Sequence, residues 1–233
     1  MRVAMTNTPP FREGRHRFSV AHLLIAIAAL FMVMPLVDRL PYGNIVETAA
    51  FTLVLLAAVN AVGGRRRIQI TAAALAAPAV VMHWLHHIWP DLLPVELKLL
   101  ADTLFVAYVI ARLLRFVIVA PEVNAEVMCA AISTFLLLAV AWSFLYTMLA
   151  RWEPGSFTFT DSSGAAPTLA GFLALYFSVQ VITTITFGDI LPVSNLARMF
   201  AIVEATTGVF YLAILISRLV GVYASKPPSD SQN

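Results

Sequence analysis

The sequence predicts an all-α integral membrane fold with six transmembrane helices and one re-entrant segment, and three observations carry that prediction. Of the 233 residues 60% are hydrophobic and 12% charged, more apolar surface than a soluble core of this length hides. Six stretches reach the roughly 20 apolar residues that a helix needs to cross the hydrocarbon layer. A seventh apolar stretch, Thr168–Ile182, is too short to cross and runs into an extended segment before the last span.

The six spans are expected at about Phe18–Val37, Ile45–Val62, Ile68–Ile88, Leu99–Val119, Ala125–Leu149 and Asn195–Tyr223. Basic residues precede the first, as in a secretory signal, but its apolar stretch is too long for one, so it is kept as a helix. Counting Lys and Arg on alternate sides gives eleven on the side of Arg2, Arg65, Arg112, Arg218 and Lys226. Only four, Arg39, Lys98, Arg151 and Arg198, fall on the other. The positive-inside bias then puts both termini in the cytoplasm of a multi-pass plasma (inner) membrane protein. Most acids fall outside, among them Asp38, Glu47, Asp91, Glu96, Asp102, Glu153, Asp161 and Asp189, where their field concentrates cations. A net charge of +2 with scattered bases does not suit nucleic acid as a partner. Cys129, the single cysteine, allows no intrachain disulfide or thiolate metal site and reads as packing.

The linkers are short except Ala150–Pro167, rich in Gly, Ser, Pro and Asp, which reads as an exposed loop. Helix, loop, short helix, extended segment and helix form a re-entrant arrangement from Ala125 to Tyr223. Irregular backbone is tolerated at membrane depth only where protein buries it or it lines a watery cavity. A bare cation in hydrocarbon is prohibitively costly, and successive backbone carbonyls can replace its water. Thr184, Ile185, Thr186 and Phe187 could supply such a ladder, with the C-terminus of the short helix, near Ile182, adding partial negative charge. The bland alternative is an ordinary extracellular loop over Thr183–Asp189.

The run Tyr176-Phe-Ser-Val-Gln-Val-Ile-Thr-Thr-Ile-Thr-Phe-Gly-Asp189 resembles the pore helix and selectivity filter of tetrameric potassium-type cation channels. That family shows two aromatics and then Thr-Thr-Val-Gly-Tyr-Gly-Asp at this spacing. Tyr176 and Phe177 stand for the aromatics, and Thr183, Thr184, Ile185, Thr186, Phe187, Gly188 and Asp189 for the filter. Arg198 and Gly208 fall where the family often has an arginine opening the inner helix and a glycine hinge within it.

The resemblance covers about Ala125–Tyr223 and implies a voltage-gated-like channel architecture. It implies a homotetramer, each chain having three identical subunits and the lipid bilayer as partners, because one filter strand cannot surround an ion. Potassium would sit at Thr184, Ile185, Thr186 and Phe187, with sodium left open and no organic cofactor. Gln180 and Asp189 would meet behind the filter, whereas Phe177 cannot donate to Asp189 as the family's tryptophan would. Asp189 simply solvated at the mouth is the alternative. Glu204, an intramembrane acid, would face the short helix near Gln180 or Thr183 if Gly208 marks the bend, with a structural protonated glutamate as its rival reading. Val209, Leu212 and Ile216 would turn toward the cavity, or pack as ordinary helix surface.

Thr186 departs from the family, standing where its first filter glycine does. A β-branched residue held at positive φ is strained by about 1–2 kcal/mol. Thr186 either bears that strain, keeps negative φ and turns its carbonyl off the axis, or replaces the carbonyl with its hydroxyl. Phe187 in place of tyrosine loses a hydroxyl that can tie the filter down.

The chain divides into a cytoplasmic segment (1–17), a four-helix bundle (18–119), a pore domain (120–223) and a disordered cytoplasmic tail (224–233), with no cytoplasmic ligand-binding domain expected. The bundle resembles a degenerate voltage sensor, since its fourth helix offers only Arg112 and Arg115 near the cytoplasmic end. His83, His86 and His87 gather with Trp84 and Trp89 at the outer end of the third span. His83 and His87 share a helical face and suit a metal or pH site, the alternative being packing in an interfacial aromatic belt. The expected function is a passive cation channel without catalytic residues, weakly dependent on voltage. The alternatives are a non-selective or non-conducting homologue, because of Thr186, or a secondary transporter or membrane scaffold. A transporter would show broken helices in both halves, and only one half has one.

Overall fold

The computed structural model describes residues 19–37, 43–62, 66–89, 94–160 and 168–224. The N-terminal segment and the tail beyond Ala224 lie outside the described residues, as do the side chains of His86 and His87.

Seven helices and one small β-ribbon are described: α1 (Ser19–Val37), α2 (Gly43–Val62), α3 (Arg66–Ile88), α4 (Val95–Val119), α5 (Ala125–Trp152), β1 (Phe157–Phe159), α6 (Gly171–Ile182), β2 (Ile190–Pro192) and α7 (Asn195–Ala224). Among the described residues five helices, α1, α2, α3, α5 and α7, are long and apolar enough to cross a membrane. α4 has the length, 25 residues, but Asp102, Arg112 and Arg115 interrupt its apolar run, so it does not meet the same measure.

Local chemistry sets the ends of the helices that build the re-entrant region. Asn124 caps α5 by accepting from the Val127 N–H at 3.0 Å, and Pro154-Gly155, with Gly155 at φ +87°, ends it. Ser194 does the same for α7, accepting from the Ala197 N–H at 3.2 Å while its hydroxyl donates to Glu153 at 2.9 Å. α5 and α7 are therefore tied together where Glu153 and Ser194 meet.

Two apolar clusters hold the chain. The larger joins Leu23, Ile27 and Leu30 of α1, Val54 and Leu55 of α2, Phe105 and Val109 of α4, and Val127, Ala130 and Leu137 of α5. Ala72, Ala76 and Ala79 of α3 enter the same cluster, small side chains that let helix backbones approach where lipid gives no hydrophobic drive. The smaller cluster centres on Tyr146, Phe157 and Phe177, whose rings meet edge to face at 4.9–5.8 Å. It fixes α6 and β1 on α5.

The structure corrects the sequence reading in three places. Of the exposed loop expected over Ala150–Pro167, residues 161–167 lie outside the described residues, and the rest contains the end of α5 and β1, which pairs antiparallel with β2 in the register Phe157↔Pro192 and Phe159↔Ile190, a short ribbon on an otherwise helical fold. Three residues between Pro-Gly and a Ser-Gly-rich stretch are too few for a strand pattern to show. His83 is not an interfacial side chain: it is buried, stacked on Phe51 at 5.0 Å, with Nδ1 3.8 Å from Oδ2 of Asp102. Asp102, read as an outer acid, is buried between the helices with neither carboxylate oxygen hydrogen-bonded. Trp84 is a surface residue and its indole donates to Thr52 at 3.2 Å.

Candidate functional site

The segment from Tyr176 to Asp189 folds back on α6, and Gln180 organises it. Gln180 is 3% exposed and makes three bonds to the segment that follows: its Nε2 donates to Asp189 Oδ1 at 3.2 Å, its Oε1 accepts from the Phe187 N–H at 3.1 Å, and its own carbonyl accepts from the Ile185 N–H at 3.0 Å. The Thr184 N–H donates to the Val181 carbonyl at 3.0 Å. Three backbone N–H groups of the segment thus point back at α6. Among the described residues, the carbonyls of Thr184, Ile185, Thr186 and Phe187 take no part in the bonds that hold it.

Backbone angles explain this one-sided arrangement. Thr184 (φ +58°), Thr186 (φ +35°) and Gly188 (φ +81°) lie in the left-handed region, while Ile185 and Phe187 between them do not. In a plain strand successive carbonyls alternate in direction; alternating handedness turns the peptides so that N–H groups gather on one side and carbonyls on the other. Thr186 therefore takes positive φ and bears the strain, and the alternative in which it keeps negative φ is overturned. Thr184 shares that strain. Every residue from Thr184 to Gly188 is exposed in the single chain.

The outer end is fastened from two sides. Tyr176 donates its hydroxyl to Asp189, and its ring stacks on Phe187 with centroids 6.3 Å apart at 10°. The tie expected to be missing because of Phe177 is thus supplied by the preceding residue. Phe177, expected as filter support, is buried against Tyr146 and Phe157 and instead seats α6 on α5. On the other side Thr160, just past β1, donates its hydroxyl to the Gly188 carbonyl and its N–H to the Asp189 carbonyl, each at 2.9 Å. Burial pushes the Asp189 carboxyl up, but hydrogen bonds from Tyr176, Gln180 and the backbone N–H groups of Asp189 and Ile190 outweigh it and hold the group below the usual carboxylate range.

α7 runs behind this segment. Glu204 is fully buried, yet it meets Ser178 and Tyr146 and not Gln180 or Thr183, about one turn from the expected place. Gly208 lies within a helix that runs without a break from Asn195 to Ala224. Its visible role is close approach: a Cβ there would lie 2.3 Å from the carbonyl oxygen of Ile182, at the end of α6. Val209, Leu212 and Ile216 are 52%, 42% and 59% exposed in the single chain, an apolar face without a partner among the described residues. Arg198 Nε donates to the Pro192 carbonyl at 3.3 Å, tying the start of α7 to β2.

Residues 132–225 match a family model described as an ion channel. No curated protein and no solved structure matches the chain. The match takes in most of α5, the β-ribbon, α6, the segment Thr183–Asp189 and all of α7, while α1 to α4 lie outside it. Its membrane-length helices fit a multi-pass α-helical membrane protein, and the match likens the part from residue 132 to 225 to ion channels.

Sequence reasoning placed Gln180, Asp189 and the segment between them together, as the structure does. It missed Tyr146, Ser178 and Thr160. A tyrosine inside an apolar span was the available signal for Tyr146, since a buried hydroxyl needs a partner. Nothing local marks Thr160, whose role depends on a ribbon formed across 30 residues of chain. The metal pair expected of His83 and His87 cannot be followed beyond His83, whose described neighbour is Asp102.

Proposed function

We propose that the chain forms a homotetrameric, passive cation channel of potassium type, with the carbonyls of Thr184, Ile185, Thr186 and Phe187 as ion ligands. One observation carries the reading: hydrogen bonds gather the segment's N–H groups on α6 and leave this run of carbonyls free on the other side. A cation leaving water needs such oxygens, and one strand supplies only one wall, so copies around an axis complete the cage. The exposed apolar face of α7, with Val209, Leu212 and Ile216, suits the inner lining and the subunit contacts. Both termini lie in the cytoplasm of the inner membrane. Voltage dependence is weak, because Arg112 and Arg115 are two charges at one end of α4, worth only about 2.3 kcal/mol each per 100 mV even if fully moved.

A second reading keeps the fold with a non-selective or closed pore. It is favoured by Thr184 and Thr186 both holding left-handed backbone, conformations that threonine resists. Native mass measurement in mild detergent and potassium and sodium flux into proteoliposomes separate these cases. A tetramer with potassium flux exceeding sodium flux is expected. A stable monomer or dimer defeats the pore, and equal fluxes favour the second reading.

A further inference from the structure

Glu204 is 0% exposed in the middle of α7, and two side chains meet its carboxyl group. Tyr146 of α5 donates to Oε2 at 2.6 Å, and the Ser178 hydroxyl of α6 lies against Oε1. Ser178 Oγ also stands 2.8 Å from the carbonyl oxygen of Ala139 on α5. A serine hydroxyl carries one proton, and a backbone carbonyl has none to give. The contact with Ala139 uses the serine proton. The contact with Glu204 then needs a second proton, which only the carboxyl can supply, because the tyrosine proton is directed at its other oxygen. Among the described residues these are the polar groups that meet Glu204 from α5 and α6, and neither Arg nor Lys is paired with it. An ionised carboxylate buried without a cation is costly, which favours the same proton count.

We propose that Glu204 is a neutral carboxylic acid that positions the filter. Its Oε1–H donates to Ser178, Ser178 donates to Ala139, and Oε2 accepts from Tyr146, so one chain of hydrogen bonds runs through α7, α6 and α5. Ser178 lies two residues before Gln180, the side chain that holds Phe187 and Asp189. One turn further along α7, Gly208 touches Ile182, the last residue of α6. Glu204 and Gly208 thus fix the short helix at two points, and the rotation of α6 about its axis sets where Gln180 presents its amide. The filter's role as an ion path rests on the function proposed above; the protonation and the positioning do not.

Infrared spectra of the protein in lipid vesicles at neutral pH test the protonation. Wild type should show a carbonyl stretch of a neutral carboxylic acid that is absent in Glu204→Gln; loss of carboxylate bands in its place overturns the proposal. Hydrogen exchange at the amides of Thr184, Ile185 and Phe187 tests the positioning. Glu204→Gln keeps one donor and one acceptor in place and should stay within about twofold of wild type. Glu204→Leu fills the space but breaks the chain and should exchange about tenfold faster there, the scale expected when a buried bond loses its partner. Helices α1 to α3 should be unchanged in both. Ser178→Ala serves if the leucine variant does not fold: it should raise filter exchange alike and shift the Glu204 carbonyl stretch. Leucine equal to wild type, or glutamine as damaging as leucine, overturns the positioning role. None of these measurements needs conduction, so their failure is distinct from absence of ion flux.

Discussion

Gly208→Ala gives a direct reading of how closely α7 lies against the end of α6. The added Cβ would stand 2.3 Å from the Ile182 carbonyl oxygen and 2.8 Å from Ile182 Cγ1. Ordinary carbon–oxygen contact is about 3.3 Å or more, so the two backbones must part by about 1 Å. Neither is free to do so: Ile182 closes a helix seated on α5, and Glu204 is bonded one turn away on α7. Overpacking of this kind costs about 1–3 kcal/mol, set against about 1 kcal/mol that alanine returns as a better helix former. A backbone neighbour belongs at the upper end of that cost, which leaves a net loss of about 1–2 kcal/mol per chain. Gly221→Ala, on the same helix, is the control, since a Cβ there meets no atom of another element within 4 Å. Reversible denaturation in mixed micelles should show Gly208→Ala destabilised and Gly221→Ala neutral or slightly stabilised. Equal effects of the two would mean that α7 does not press on Ile182, and the reasoning from close approach would fail.

Two further substitutions address the segment proposed as the filter. Thr186→Gly should relieve about 1–2 kcal/mol of left-handed strain per subunit, and potassium-to-sodium flux selectivity should rise; wild type already as selective as the variant would show that threonine is accommodated without loss. Tyr176→Phe removes a hydrogen bond to Asp189. Because the folded Asp189 carboxyl lies below its ordinary value, its stabilisation is present above the usual carboxylate range and is lost as pH falls through the folded value. The variant should therefore lose stability at higher pH than wild type does on acid titration, and coincident titrations would refute the tie.

What was legible in the sequence followed from its strongest local signals. Apolar length gave α1, α2, α3, α5 and α7, and the Thr-Ile-Thr-Phe-Gly-Asp run at fixed distance from Gln180 gave the segment that α6 supports. Partner choice was less legible. Glu204 was expected near Gln180 or Thr183 because its direction was inferred from the position of Gly208, whereas α7 turns it toward Ser178 and Tyr146. Asp102 and His83 lie on different helices, and no spacing within either one shows that they meet. The β-ribbon was hidden for the same reason: β1 owes its form to pairing with β2 and to the seat of Phe157 between Tyr146 and Phe177, not to its own three residues.

The strain at Thr184 and Thr186 gives these supporting contacts a particular weight. Glycine accepts left-handed backbone without help; threonine does so only where its surroundings leave no alternative. Here Gln180 makes three bonds to the segment, Tyr176 ties Asp189, and Thr160 holds two carbonyls at the far end. If each bond contributes about 1 kcal/mol net, the set outweighs strain of about 1–2 kcal/mol at each threonine. The conformation is then imposed from outside the segment and not chosen by it. A threonine-bearing segment in this conformation consequently depends on its buttress more than a glycine-bearing one would, and the dense bonding of Gln180, two residues beyond Ser178, is where that dependence is concentrated.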